Sequence, residues 1–173
     1  MTRTPDSDDP LEDLPLDSDS DSDSPSAAPP SARPRLDGRS VLLVFAGGVV
    51  GTGIREGFAL AFPAASGGFP TTIFVINVLG AFVLGALLEV LARSGPDDGG
   101  RRSMRLLLGT GLLGGFTTYS AFAVDTAVLL GDALPVALLY AGATLVVGLV
   151  SAFVGIVAAG AAHTRSRERS ARP

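Results

Sequence analysis

The chain has 173 residues, a formal net charge of −4 and a hydrophobic content of 47%. It contains no cysteine and only one histidine, His163, which excludes disulfides, Cys/His zinc sites and a Ser-His triad within the apolar region. The acidic balance argues against nucleic-acid binding, and without a nucleophile–base pair or a metal cluster we expect no enzyme.

The first 40 residues differ in composition from the rest of the chain. They hold most of the acidic residues together with many serines and prolines. Such a segment buries too little apolar surface to offset the entropy of ordering it, so we expect residues 1–40 to form a disordered, acidic cytoplasmic tail. The segment also lacks the basic start and apolar run of a signal peptide.

Four apolar runs follow, separated by short polar gaps. Each has about the 20 residues that are needed to cross a hydrocarbon core. The runs are Val41–Phe62, Thr71–Ala92, Leu106–Leu130 and Leu134–Ala162. They predict an all-α membrane protein with four transmembrane helices in residues 41–162, followed by a basic cytoplasmic tail in residues 163–173.

Arginines are concentrated at one set of ends of these runs. They precede the first run, separate the second from the third, and follow the fourth; only Arg55 lies within a run. Because loops rich in arginine stay in the cytoplasm, both termini and the middle loop are predicted to lie on the cytoplasmic side of the plasma membrane.

Two polar residues in the first half of the membrane domain have alternative interpretations. Arg55 either snorkels toward the interface or attracts anions to a water-filled vestibule. Asn77 either joins neighbouring helices or offers its two N–H donors to an anion.

The stretch GLLGGFTTYSAF, residues 111–122, interrupts the third run. Glycine weakens a helix and threonine hydroxyls compete for its backbone, so the third helix is predicted to be broken here. Tyr140 and Thr144 add polar groups one turn apart in the fourth run. Donors outnumber acceptors in this set, and that lining suits a small, strongly hydrated anion.

Three motifs resemble those of the fluoride channel family, Fluc, also called CrcB. They are GGVVGTGIRE at residues 47–56, VINVLGAFVLG at residues 75–85, and the interrupted stretch at residues 111–122. The resemblance implies a fluoride-specific ion channel that exports fluoride by passive conduction and so relieves fluoride toxicity. It also implies an antiparallel, dual-topology-type dimer with two pores and a structural sodium ion at the dimer centre, held by backbone carbonyls.

The resemblance assigns roles by motif position. The fluoride pore would be lined by Asn77, Thr118, Tyr119, Ser120, Phe122, Tyr140 and Thr144, the vestibule would hold Arg55, and the sodium-binding carbonyls would belong to Gly114 and Thr117. Two positions depart from the family pattern. Tyr119 stands where the family usually has phenylalanine, and Ile73 stands where it often has threonine.

Other functions remain open from sequence. A small multidrug-type exporter with four helices needs a carboxylate in its first helix, for which Glu56 is the only candidate. A non-transporting membrane scaffold would have no use for the helix break. The strong arginine asymmetry further predicts that this chain inserts in one orientation and pairs with a separately encoded, oppositely inserted homologue; a homodimer with mixed insertion is the alternative.

Overall fold

The structure is a computed structural model that describes residues 37–65 and 67–170, with side chains up to residue 165. The described residues form helices and turns, without a strand among them. The helices are α1 (Gly38–Ala61), α2 (Thr71–Arg93), α3 (Gly99–Met104), a π-helical segment (Arg105–Leu113), α4 (Gly114–Phe116), α5 (Tyr119–Asp132) and α6 (Leu134–Ser170). Residues 1–36 of the predicted acidic tail lie outside the described residues. The last residues of the predicted tail are helical, because α1 begins at Gly38.

Four helical regions are long and apolar enough to cross a membrane, which confirms the predicted all-α architecture with four spans. The third of them is the interrupted region Gly99–Asp132. The chain is therefore a multi-pass membrane protein. α6 continues beyond the predicted end of the fourth span, because the residues after Ala162 include neither glycine nor proline up to Ser170. The predicted C-terminal tail is thus helical over residues 163–170.

The third span is broken at two threonines. Thr117 has φ −74° and ψ 154°, and Thr118 has φ −147° and ψ 124°, so both have extended backbone between α4 and α5. The Thr118 hydroxyl caps α5 by accepting from the backbone N–H of Ala121 at 3.2 Å. The sequence predicted this break, but it did not predict the π-helical turns of Arg105–Leu113 that precede it.

Glycines let the helix backbones approach closely. A methyl group on Gly51 of α1 would overlap the carbonyl of Leu112 in the third span. A methyl group on Gly155 of α6 would likewise overlap the carbonyl of Phe82 in α2. Close packing of small residues is a main source of helix association in membranes, because lipid tails are as apolar as the helix surfaces and no hydrophobic effect drives the helices together.

The buried core is small and lies beside the broken helix. Leu129, Ala137 and Tyr140 form its centre, with Phe122 and Phe74 packed against it. Large apolar side chains cover the outside of the subunit, including Leu60 and Leu149 at 74% exposure each. Such a surface is stable against lipid tails or a second membrane subunit and would be unfavourable in water.

Candidate functional site

The side chain of Asn77 in α2 holds the break in the third span. Its Nδ2 donates to the carbonyl of Thr118 at 3.0 Å, and the N–H of Thr118 donates to its Oδ1 at 2.8 Å. A carboxamide matches a peptide group in this way because it carries one donor and one acceptor side by side. The extended backbone at Thr118 thus keeps both of its polar groups bonded, as a residue away from water requires.

A crevice of about 300 Å³ opens beside this pair, between α2, the break and α6. It brings together most of the residues that the sequence placed in the pore. Its lining includes Asn77, Thr117, Thr118, Tyr119, Phe122 and Thr144, with Ala81, Leu84 and Leu145 as the apolar part. Ser120, Tyr140 and Gly114 do not line this crevice, and Arg55 lies in another cavity.

The hydroxyl groups around the crevice are mostly bonded within the subunit. The hydroxyl of Thr144 donates to the carbonyl of Tyr140 at 2.7 Å. The hydroxyls of Thr118 and Ser120 lie 3.1 Å apart and share one hydrogen bond. Asn77 uses one of its two Nδ2 hydrogens for Thr118, so one N–H remains for the crevice.

Three aromatic rings form a chain from the crevice to the core. The ring of Phe122 lies 5.9 Å from Tyr119 and 5.4 Å from Tyr140, at tilts of 46° and 44°. Tyr119 is 79% exposed, whereas Tyr140 is completely buried. The Tyr140 hydroxyl has no hydrogen-bond partner among the described residues. The carboxyl of Asp125 lies close to this hydroxyl and is a neighbour to which it can donate.

The break also frees backbone oxygens. In an uninterrupted helix the N–H of Thr118 would bond the carbonyl of Gly114, but here it bonds Asn77. Within the described part of the chain, neither the Gly114 nor the Thr117 carbonyl accepts a hydrogen bond. These two oxygens are the ones that the family resemblance assigned to sodium.

A second cavity, of about 390 Å³, lies between the end of α1, the start of α2 and the first half of α5. Arg55, Glu56 and Asp125 all line it, and the Nε of Arg55 is buried without a hydrogen-bond partner among the described residues. Ionisable side chains inside a membrane protein typically face the bundle interior or a water-filled cavity, and three of them line this one, which we call the vestibule.

Sequence reasoning placed Arg55 in a vestibule but gave the two carboxylates no role there. The available signal was the three-residue spacing of Tyr119, Phe122 and Asp125, which puts the carboxylate on the face of α5 that bears the aromatic rings. Ile73 also lines the vestibule. Thr72 does not replace the threonine that the family often has at position 73, because the Thr72 hydroxyl donates to the carbonyl of Phe62.

Comparison with known proteins gives consistent matches. Residues 42–156 match a family model described as "CrcB-like protein, Camphor Resistance (CrcB)". The chain is 54% identical over 127 residues to the "fluoride-specific ion channel FluC 2" of Leifsonia xyli subsp. xyli, covering 70% of this chain and 83% of that protein. It is 40% identical over 119 residues to the "fluoride-specific ion channel FluC" of Oceanobacillus iheyensis, covering 68% and 89%. A Streptomyces coelicolor protein, "fluoride-specific ion channel FluC 1", is 37% identical over 134 residues, covering 77% and 85%.

Proposed function

The chain belongs to the CrcB family, and from that premise we propose that it is a fluoride-specific channel of the plasma membrane. It lets fluoride leave the cell by passive conduction and thereby relieves fluoride toxicity. The relatives of Leifsonia xyli subsp. xyli and Oceanobacillus iheyensis are named fluoride-specific ion channels, and the matches cover 83% and 89% of their lengths. A channel of this kind needs no catalytic group.

The observation that carries the proposal is the crevice beside the Asn77–Thr118 pair. A fluoride ion that leaves water needs donors in place of its hydration shell. The free N–H of Asn77 supplies one, and the ring edges of Phe122 and Tyr119 carry partial positive charge toward the same space. Thr118, Ser120 and Thr144 contribute hydroxyl groups that can rotate toward the ion once their present bonds are exchanged.

Tyr140 extends this path toward the core. Its buried hydroxyl lies beyond the ring of Phe122 and close to the carboxyl of Asp125. Arg55 draws anions into the vestibule at the end of the bundle, where its guanidinium faces the cavity. The proposed path therefore runs between the vestibule and the crevice along one face of α5.

A structural sodium ion fits the oxygens of the break. Sodium is a hard cation that prefers oxygen ligands, and the carbonyls of Gly114 and Thr117 are free to serve as ligands. Two carbonyls cannot complete a coordination shell, which favours a site shared with a second subunit. When bound, the ion supplies positive charge that would hold together the helix breaks of the two subunits.

The second subunit lies antiparallel in this proposal. Tyr119 is 79% exposed at the break, so this pore residue is left uncovered by its own subunit and becomes buried only against a partner. The arginine asymmetry places both termini of this chain in the cytoplasm. The partner with the opposite orientation is then a separately encoded homologue, and a homodimer with mixed insertion is the alternative.

An ion-flux assay on the reconstituted protein tests the function against its alternatives. Fluoride flux without movement of a cationic dye supports the channel. Movement of the dye driven by a proton gradient would instead indicate a multidrug-type exporter that uses Glu56. A protein that assembles normally and moves neither substance would be a scaffold, and the proposed function would be wrong.

A further inference from the structure

The vestibule around Arg55 also contains carboxyl groups. Glu56 and Asp125 line it together with Arg55, and the remaining lining residues carry no charge. Among the described residues, none of the ion pairs involves Arg55, Glu56 or Asp125. No ion pair therefore joins the three groups to one another, and the Asp125 carboxyl lies close to the Tyr140 hydroxyl.

Resting on the proposed function, we propose that Glu56 is a rate-determining residue that slows the capture of fluoride from the vestibule end of the membrane. The Glu56 carboxylate places a negative charge in the same cavity as the Arg55 guanidinium and offsets its attraction for anions. A cleft with low-dielectric walls focuses such a field, raises the local concentration of counter-ions and lowers that of ions with the same sign. The same repulsion assists a fluoride ion that is leaving through this end.

The topology gives this effect a direction. α1 ends and α2 begins at the vestibule, whereas the arginine-rich loop and the start of α1 lie at the opposite end of these two helices. In the orientation that the arginines favour, the vestibule faces the outside of the cell. Glu56 then hinders the return of fluoride without altering the equilibrium, which depends only on the fluoride gradient and the membrane potential.

Glu56 is a better point of control than Asp125. The Glu56 side chain is exposed in the subunit, so its replacement removes charge with little effect on packing. Asp125 is half-buried and lies one turn from Phe122 on the same helix face, so its replacement would also disturb the pore.

The test is the fluoride conductance of the full-length chain, with any native partner subunit, in planar bilayers at fluoride concentrations well below saturation. Glu56→Gln is expected to raise conductance roughly two- to five-fold at low ionic strength. The gain should shrink as inert salt is added, because the Debye length falls to about 3 Å at 1 M. Glu56→Asp keeps the charge and should behave like the wild type.

The matched control is Asp132→Asn. Asp132 is the last residue of α5, so it lies at the same end of the bundle, but it does not line the vestibule. Its replacement is expected to leave conductance unchanged. An equal rise in both variants, or no rise in Glu56→Gln while the wild type conducts, would overturn the role of Glu56. A wild type that fails to conduct fluoride is a different result, since it would overturn the proposed function and the role of Glu56 with it.

Discussion

Asn77 binds both backbone polar groups of Thr118, at 3.0 Å through its Nδ2 and at 2.8 Å through its Oδ1. The pair replaces the helical hydrogen bond between the Thr118 N–H and the Gly114 carbonyl. One side chain therefore keeps the third span open, frees a carbonyl oxygen and still presents an N–H to the crevice. Positioning of the break and a remaining N–H donor are combined in a single residue.

Replacement of Asn77 by Asp should abolish fluoride flux. The carboxylate can still accept from the Thr118 N–H, but it cannot donate to the Thr118 carbonyl and it places negative charge beside an anion path. Leaving the part-buried Thr118 carbonyl without a donor costs at most about 1–3 kcal/mol of stability. Fluoride efflux from reconstituted vesicles measures the loss of function, and thermal unfolding in detergent measures the loss of stability.

Ser151→Ala is the control for this substitution. It removes an interhelical hydrogen bond, from Ser151 to the carbonyl of Val78 at 2.9 Å, between α6 and α2. The lost bond lies outside the crevice, so flux should persist. Unchanged flux in Asn77→Asp vesicles would remove Asn77 from the pore.

Phe122→Ile tests whether the aromatic rings contact the ion. The substitution keeps an apolar side chain of similar bulk but loses the polarised ring edge. Flux should fall about two- to ten-fold, equivalent to ~0.5–1.5 kcal/mol of lost interaction. The matched variant is Phe58→Ile, because Phe58 stacks on Phe62 at 6.5 Å and does not line the crevice. Normal flux from an intact Phe122→Ile assembly would mean that the ring serves only packing.

Gly51→Ala should destabilise the membrane domain. The added methyl group meets the Leu112 carbonyl and the Phe116 backbone nitrogen, which cannot rotate away as a side chain could. Overpacking of this kind costs about 1–3 kcal/mol or more. Gly57→Ala in the same helix meets open space and should be tolerated. The two variants are compared by their unfolding temperatures and their yield of monodisperse protein; equal behaviour would contradict the backbone contact between α1 and the third span.

Asp97 lies in the loop between α2 and α3 and pairs with Arg105. This ion pair predicts a small loss of stability in acid. The hydrogen bond from Arg105, at 2.6 Å from its Nη2 to Oδ2, lowers the pKa of Asp97 from its usual value of 3.8. A carboxyl with a lowered pKa stabilises the fold above its unfolded pKa, and the contribution is lost as the pH falls through the folded pKa. The difference in unfolding temperature between the wild type and Asp97→Asn should therefore begin to shrink as the pH falls below about 3.8 and vanish only below the lower, folded pKa of Asp97. A difference that persists in acid would show that another interaction is responsible.

The arginine distribution predicts insertion in one orientation. When the chain is expressed alone with a tag at its C-terminus, the tag should be labelled from the cytoplasmic side only. Equal labelling from both sides, with fluoride efflux intact, would rule out the separately encoded partner and favour the homodimer.

The number of spans could be predicted from sequence because apolar length is a direct requirement of the bilayer. The helix break could be predicted too, since Gly114, Gly115, Thr117 and Thr118 all disfavour a regular helix. The π-helical turns of Arg105–Leu113 could not be predicted, because they depend on how this segment packs against α1. Glycine backbones at Gly47 and Gly51 touch it over that length.

The sequence predicted several of the residues that line the crevice, but not the hydrogen bonds that they form. Asn77 and Phe122 are brought to one crevice as expected. The sequence could not show that Asn77 would pair with the backbone of Thr118, since that bond joins residues 41 positions apart. The vestibule carboxylates were missed for a similar reason. Glu56 and Asp125 come from different helices, and only the packing of α1 against its neighbours places them in one cavity.

The most direct test of the account is the ion selectivity of the assembled protein. The tagged chain, purified from its own cells with any partner subunit that accompanies it, is placed in liposomes loaded with both fluoride and chloride. When a potassium ionophore removes the opposing membrane potential, ion-selective electrodes should record rapid release of fluoride while chloride stays inside. Fluoride release no faster than from protein-free liposomes, or chloride release that keeps pace with it, would contradict a fluoride-specific channel.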